Sequence, residues 1–121
     1  SYPQRPKDAE DLLFLMNNYA DAGNVDRLFD DEPELLKQEG FDLTPSGIRL
    51  LGRDMAAMAS AATGEEIQAI LRQETDEQQR YRLAMDMARS SRIDDRLDDS
   101  LAKLKKMAEG FSEIFQKRAG Q

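Results

Sequence analysis

The sequence contains neither cysteine nor histidine. Those two absences exclude a Cys- or His-ligated zinc, a thiol nucleophile, a disulfide scaffold, a Ser-His-Asp triad and any imidazole base. Chemistry is left to carboxylates, Lys, Arg, Tyr, Ser and Thr. The missing cysteine also fits a reducing compartment. No apolar run approaches the ~20 residues that span a bilayer, and the opening Ser1-Tyr2-Pro3-Gln4-Arg5-Pro6 has no apolar signal-peptide core. The expectation is therefore a cytoplasmic chain with no membrane partner. Basic residues are outnumbered, 17 against 24 acidic, for a net charge of −7. Such a balance disfavours a domain whose whole surface attracts nucleic acid or an anionic membrane.

What is present suits one folded unit. The 121 residues, 40% of them hydrophobic, are too apolar for disorder and too few for two ordinary domains. A chain of this length buries roughly two-thirds of its unfolded surface, enough to fold without metal or disulfides. Residues 1–121 are therefore read as a single helical domain. Charge is unevenly spread: positions 1–62 hold 12 acidic and 6 basic side chains, whereas the remainder is nearly neutral.

Apolar residues recur at helical spacing, with proline and glycine falling mainly between the segments. The fold class predicted is all-α, a bundle of five to seven helices with a long C-terminal member. A first helix follows Pro6 at N1, carries Ala9, Leu12, Leu13, Met16, Tyr19 and Ala20 on one stripe, and stops near Gly23. A short turn is expected at Val25, Leu28 and Phe29, then a helix from Pro33 through Leu35 and Leu36 to Gly40 at C′. Thr44 is expected to cap the next helix, with Pro45 at N1 and Ile48, Leu51, Met55, Met58, Ala59 and Ala62 buried. Gly52 inside that helix costs ~1 kcal/mol against Ala and implies a closely packed neighbour. Capping boxes at Thr63/Glu66 and Thr75/Gln78 are expected to open two further helices. The last runs from about Ile93 to Lys117, with Leu97, Leu101, Leu104, Ala108, Phe111 and Phe115 forming a seam of the coiled-coil kind.

Three clusters are candidates for chemistry. At the head of the first helix, Arg5, Lys7, Asp8 and Asp11 offer two cations and two anions; Asp8 and Asp11 are i, i+3 and Lys7 and Asp11 are i, i+4. The plainer account is that acids in a first turn complement the helix dipole and Lys7 pairs with Asp11. Asp94, Asp95, Asp98 and Asp99 hold spacing suited to a largely hydrated Mg²⁺, against the stronger account of a solvated helix N-terminus. Arg82, Arg89 and Arg96 recur every seven residues, as for a nucleic-acid backbone, yet interleaved aspartates and a single nearby aromatic, Tyr81, favour an ordinary charged face. The methionines, Met16, Met55, Met58, Met85, Met87 and Met107, read as packing.

The stretch Arg-x-Lys-Asp-x-x-Asp-Leu at Arg5, Lys7, Asp8, Asp11 and Leu12 resembles a motif of bacterial nucleotidyltransferases of the abortive-infection AbiEii type. Leu50-Leu51-Gly52-Arg53-Asp54-Met55 and Ile70-Leu71-Arg72-Gln73-Glu74-Thr75 resemble the helical C-terminal part of such proteins. The resemblance implies a helical domain following a polymerase-β-like α/β domain, whose Gly-Ser and Asp-x-Asp residues hold Mg²⁺ and a nucleoside triphosphate. This sequence has no matching segment, and the helical Asp8-x-x-Asp11 spacing does not replace it. The implied object is the C-terminal half of a longer protein, an expectation that a start at Ser1 rather than Met suits. It would lack its own catalytic residues, metal and cofactor. Arg5, Lys7, Asp8 and Asp11 would then be substrate-binding residues facing a missing N-terminal catalytic domain. Family membership further implies a toxin of a toxin-antitoxin pair, with RNA as a possible acceptor. The alternative is a self-contained interaction module, a possible homodimer through the last helix.

Overall fold

Two helices that run side by side in the same direction organise the molecule. In a computed structural model, residues 6–76, 85–87 and 97–119 are described, without the side chains of 6–9, 97 and 119. The elements are α1 (Pro6–Asn18), α2 (Val25–Asp30), α3 (Pro33–Gln38), α4 (Leu43–Met58), α5 (Ala61–Glu74) and α6 (Leu97–Ala119), with a helical turn at 85–87. Among the described residues there is no strand. The all-α bundle with a long last helix is the observed architecture.

Helix boundaries follow local chemistry, with two corrections. Pro6 and Pro33 are the first residues of their helices, where a missing N–H leaves no bond unmade. Helix α3 ends as expected on Gly40, whose φ of 69° is available without a Cβ clash. Its N–H donates to Lys37 and that of Phe41 to Leu36, the paired bonds of a Schellman close. The cap of α4 is Asp42 rather than Thr44: its carboxylate accepts from the Thr44 N–H at 3.3 Å, and the helix starts at Leu43. Likewise α5 is capped by Ser60, which accepts from the Thr63 N–H at 3.1 Å, so Thr63 lies inside the helix. In both places an equally good acceptor stood a few residues upstream, and the longer helix prevailed. Thr75 closes α5, its hydroxyl donating to the Leu71 carbonyl at 2.8 Å. Gln78 and the expected helix start at 76–84 lie outside the described residues, apart from Asp76.

The α4/α6 contact is the most extensive between helices among the described residues, and it is close. A Cβ built on Gly52 would stand 2.0 Å from the Met107 carbonyl oxygen, and one on Gly110 would stand 2.0 Å from that of Arg49. Each glycine thus admits the other helix's backbone, as the mid-helix Gly52 led one to expect. Thr44 and Pro45 face Asp99 and Ala102, whereas Gly52 faces Met107 and Phe111, so the two helices are parallel. Gly64 of α5 seats the Phe115 ring. Around this crossing, Met16, Ile48, Ala56, Met87, Leu104 and Phe111 are almost wholly buried in one core. A second, smaller core gathers Ala20, Leu28, Leu35, Leu36 and Leu50. Leu101, Leu104, Ala108, Phe111 and Phe115 of the α6 seam therefore pack inside one chain.

Periodicity overreached at one end of α4. Met58 is 86% exposed and Ala62 is exposed, because the chain turns at Ala59 and Ser60 into α5. A stripe says which face is apolar and not how far a neighbour covers it. Met85, at 41% exposure, is a second methionine outside the core.

Candidate functional site: the head of the first helix and its anchor

Arg5 lies outside the described residues. Lys7 and Asp8 occupy the first turn of α1, and Asp11, one turn further, is exposed. In an α-helix, positions 7, 8, 11, 14, 15 and 18 share one face. The opposite face holds Leu13, Met16 and, just beyond the helix, Ala20 in the core. The outer face does not become polar after the motif. Phe14 is 69% exposed and Leu15 44%, so an apolar patch follows the charged turn directly. Phe29, Phe41 and Met58 are the other strongly exposed large apolar residues among those described.

The other end of α1 is pinned by a closed circuit of hydrogen bonds. The Tyr19 hydroxyl donates to Asp54 Oδ2 of α4. Arg27 of α2 grips the same carboxylate with both terminal nitrogens, each at 2.9 Å. Arg27 Nη1 also donates to Asn24 Oδ1 at 2.8 Å, and Asn24 Nδ2 closes the ring on the Tyr19 carbonyl at 2.7 Å. Burial by itself raises the Asp54 carboxyl, but the hydrogen bonds from Arg27 and Tyr19 outweigh it and hold the group below its usual range. Burial, and then the bond to Asp54, push the Tyr19 phenol up. The bond to Asp54 keeps Arg27 charged beyond its ordinary range. A carboxylate, a phenol O–H and a cation fixed in this way hold an orientation well and are poorly placed to exchange a proton.

A second network ties α3, α4 and α6 together. Glu113 takes two guanidinium groups, accepting from Arg49 Nε at 3.0 Å and from Arg53 Nε at 3.2 Å, with a further bond from each. Arg53 also reaches Glu32 at 2.8 Å. Arg49, only 5% exposed, reaches Glu39 at 3.1 Å, and Lys106 meets the same carboxylate at 3.0 Å. A buried guanidinium demands such pairing, since leaving it alone is far costlier than losing the pair's net attraction. Burial would raise the Glu113 carboxyl; Arg49 and Arg53 overcome it and bring the value down to about 2. Beside Lys106, a cleft of about 290 Å³ opens between Thr44, Pro45, Ile48, Asp99, Ala102 and Lys103. Its floor is apolar, and the Lys106 charge is already answered by Glu39 and Glu109.

Neither of these networks was singled out from the sequence. In the sequence Tyr19 reads only as part of the apolar stripe, although a phenol in such a stripe needs a partner for its O–H. That was the available signal. Arg49 and Glu113 left none, being charged residues of ordinary type on separate helices. Of the remaining candidates, Asp98 and Asp99 are exposed in the first turn of α6, where the dipole favours them. Asp94, Asp95, Arg82, Arg89 and Arg96 lie outside the described residues. Among the described residues no three acidic side chains are grouped to hold a metal ion, and no helix is long and apolar enough to cross a membrane.

The chain matches no protein-family model, no curated protein and no solved structure.

Proposed function

We propose that the chain is the helical part of a nucleotidyltransferase-like protein. In this reading it contributes the face of α1 to a cleft whose other wall, with Mg²⁺ and the nucleoside triphosphate, belongs to a separate catalytic lobe. The observation that carries the reading is the unbroken sequence on that face: a charged turn at positions 7, 8 and 11, then Phe14 and Leu15 left exposed. A lobe docked over those two side chains removes them from water, worth roughly 1.5–3 kcal/mol for each one fully covered. It also brings Arg5 and Lys7 to the lobe's edge. Cations there offset the charge of a triphosphate, Arg by a two-pronged contact. Asp8 and Asp11 orient them, or meet the ribose or base. The reading places Mg²⁺ chemistry, and the transfer to an acceptor such as RNA, on the lobe rather than on α1. A toxin role with an antitoxin partner goes with the same resemblance.

The test is nucleotide transfer by the full-length protein. Lys7→Ala and Asp8→Ala are expected to abolish transfer while thermal unfolding stays where it was. Normal turnover in both variants overturns the reading.

A further inference from the structure

The described anchors of helix α1 lie towards its C-terminal end. Its described buried side chains, Leu13 and Met16, lie in its second half, and Ala20 follows just past its end. There the backbone lies on α4: a Cβ on Gly47 would come within 2.8 Å of the Ala20 nitrogen. One residue away, the Tyr19 hydroxyl meets Asp54, which Arg27 fixes from α2. Apolar contacts such as those of Leu12, Leu13 and Met16 resist separation but set no angle, because they are not directional. Hydrogen bonds to a carboxylate held in a two-pronged grip are directional, so they set the angle.

We propose that the circuit of Tyr19, Asp54, Arg27 and Asn24 is the positioning device of the motif-bearing helix. It fixes the direction of α1 on the bundle and hence where positions 7, 8 and 11 stand. Eleven or twelve residues separate Tyr19 from Asp8 and Lys7, about 17 Å at the helical rise of ~1.5 Å per residue. A tilt of ~10° at the anchor therefore moves the motif by about 3 Å. Misplacement of a substrate-positioning group by ~1 Å is enough to cost ~10²-fold in rate. Tyr19, Asp54 and Arg27 are positioning residues: they act through α1 and touch no substrate. The orientation claim stands on the geometry alone. Its consequence for catalysis rests on the reading of α1 given under Proposed function.

The absence of cysteine makes the test clean. Spin labels are placed at Glu10→Cys and Lys105→Cys, both exposed and on α1 and α6, and the distance between them is measured by pulsed electron resonance. Against the labelled parent, Tyr19→Phe and Asp54→Asn should each shift or broaden the distribution by about 2 Å, since Glu10 is nine residues from Tyr19, with helicity by circular dichroism retained. In the full-length protein the same two variants should transfer nucleotide at least tenfold more slowly. An unchanged distance in both variants overturns the proposal. A shifted distance with full transfer, when Lys7→Ala in the same assay is inactive, supports the orientation claim and overturns its consequence for catalysis. A shifted distance together with an active Lys7→Ala supports the positioning device and overturns the nucleotidyltransferase reading instead.

Discussion

Gly52 and Gly64 both lack a side chain where another helix arrives, but they meet different things. At Gly52 the obstacle is the Met107 backbone, 2.0 Å from a built Cβ, with the Phe111 nitrogen at 2.8 Å. Backbone yields only if the whole of α6 moves. At Gly64 the obstacle is the edge of the Phe115 ring, half-buried and able to rotate away. Alanine brings ~1 kcal/mol of better helix propensity at either position, against ~1–3 kcal/mol or more for overpacking. Gly52→Ala is therefore expected to lose about 2 kcal/mol of stability and Gly64→Ala to stay near neutral, as read from urea midpoints. Equal losses would mean that the α4/α6 approach is not the tight point of the fold. Residue identity alone pointed to Gly52, because a glycine within a helical stretch needs a reason. It did not point to Gly110, whose carbonyl contact belongs to Arg49 on another helix.

At the scale of elements, the register between α3, α4 and α6 is fastened by charge. Arg49 and Arg53 converge on Glu113, Glu39 joins Arg49 to Lys106, and Arg118 donates to the carbonyls of Ala56 and Ala59 at the end of α4. The Glu113 carboxyl is depressed from 4.5 to about 2 in the folded protein. A group depressed on folding stabilises above its unfolded value, and that contribution fades as pH falls towards the folded one. Stability is thus expected to decline from about pH 4.5 down to about pH 2. In Glu113→Gln the decline over that window should be visibly shallower and the starting stability lower. Thermal melts at pH 6, 4 and 2.5 check it; parallel slopes would mean that Glu113 is not the group responsible. Helix existence was legible from the sequence, since Pro6, Pro33, Gly40 and the apolar spacing all act within a few residues. The exact caps were less so, because Asp42 and Thr44, or Ser60 and Thr63, compete locally and only slightly different backbone paths separate them.

For the whole molecule, the question is which surface is meant for something else. Phe14 is exposed, so removing it takes no apolar contact from the core, and Phe14→Asn should change the stability of the chain by no more than about 0.5 kcal/mol. If a second lobe covers that face, the same substitution should weaken nucleotide transfer by the full-length protein severalfold or more. Thermal unfolding of the chain and turnover of the longer protein check the two halves separately. A large drop in stability would show Phe14 to be packed, and the outer face of α1 would then be structural. Dimerisation through the α6 seam, the competing idea from the sequence, would have to displace the neighbouring helices from Leu104 and Phe111, both almost fully buried.

The sequence by itself determined that this protein is helical, about where its helices start and stop, and which stripe of each is apolar. Those properties are set by backbone conformation and spacing over three or four residues. It also displayed the motif of Arg5, Lys7, Asp8 and Asp11, the last three of them neighbours in one helix. Only the tertiary structure decided that α4 and α6 run parallel with glycines between them. The same holds for Tyr19, Arg27 and Asp54 forming one anchor, and for Arg49 facing Glu113 across 64 positions. Charged and phenolic side chains carry no record of their distant partners. Which of them meet is fixed by how the apolar stripes pack together, and that is a property of all the helices at once.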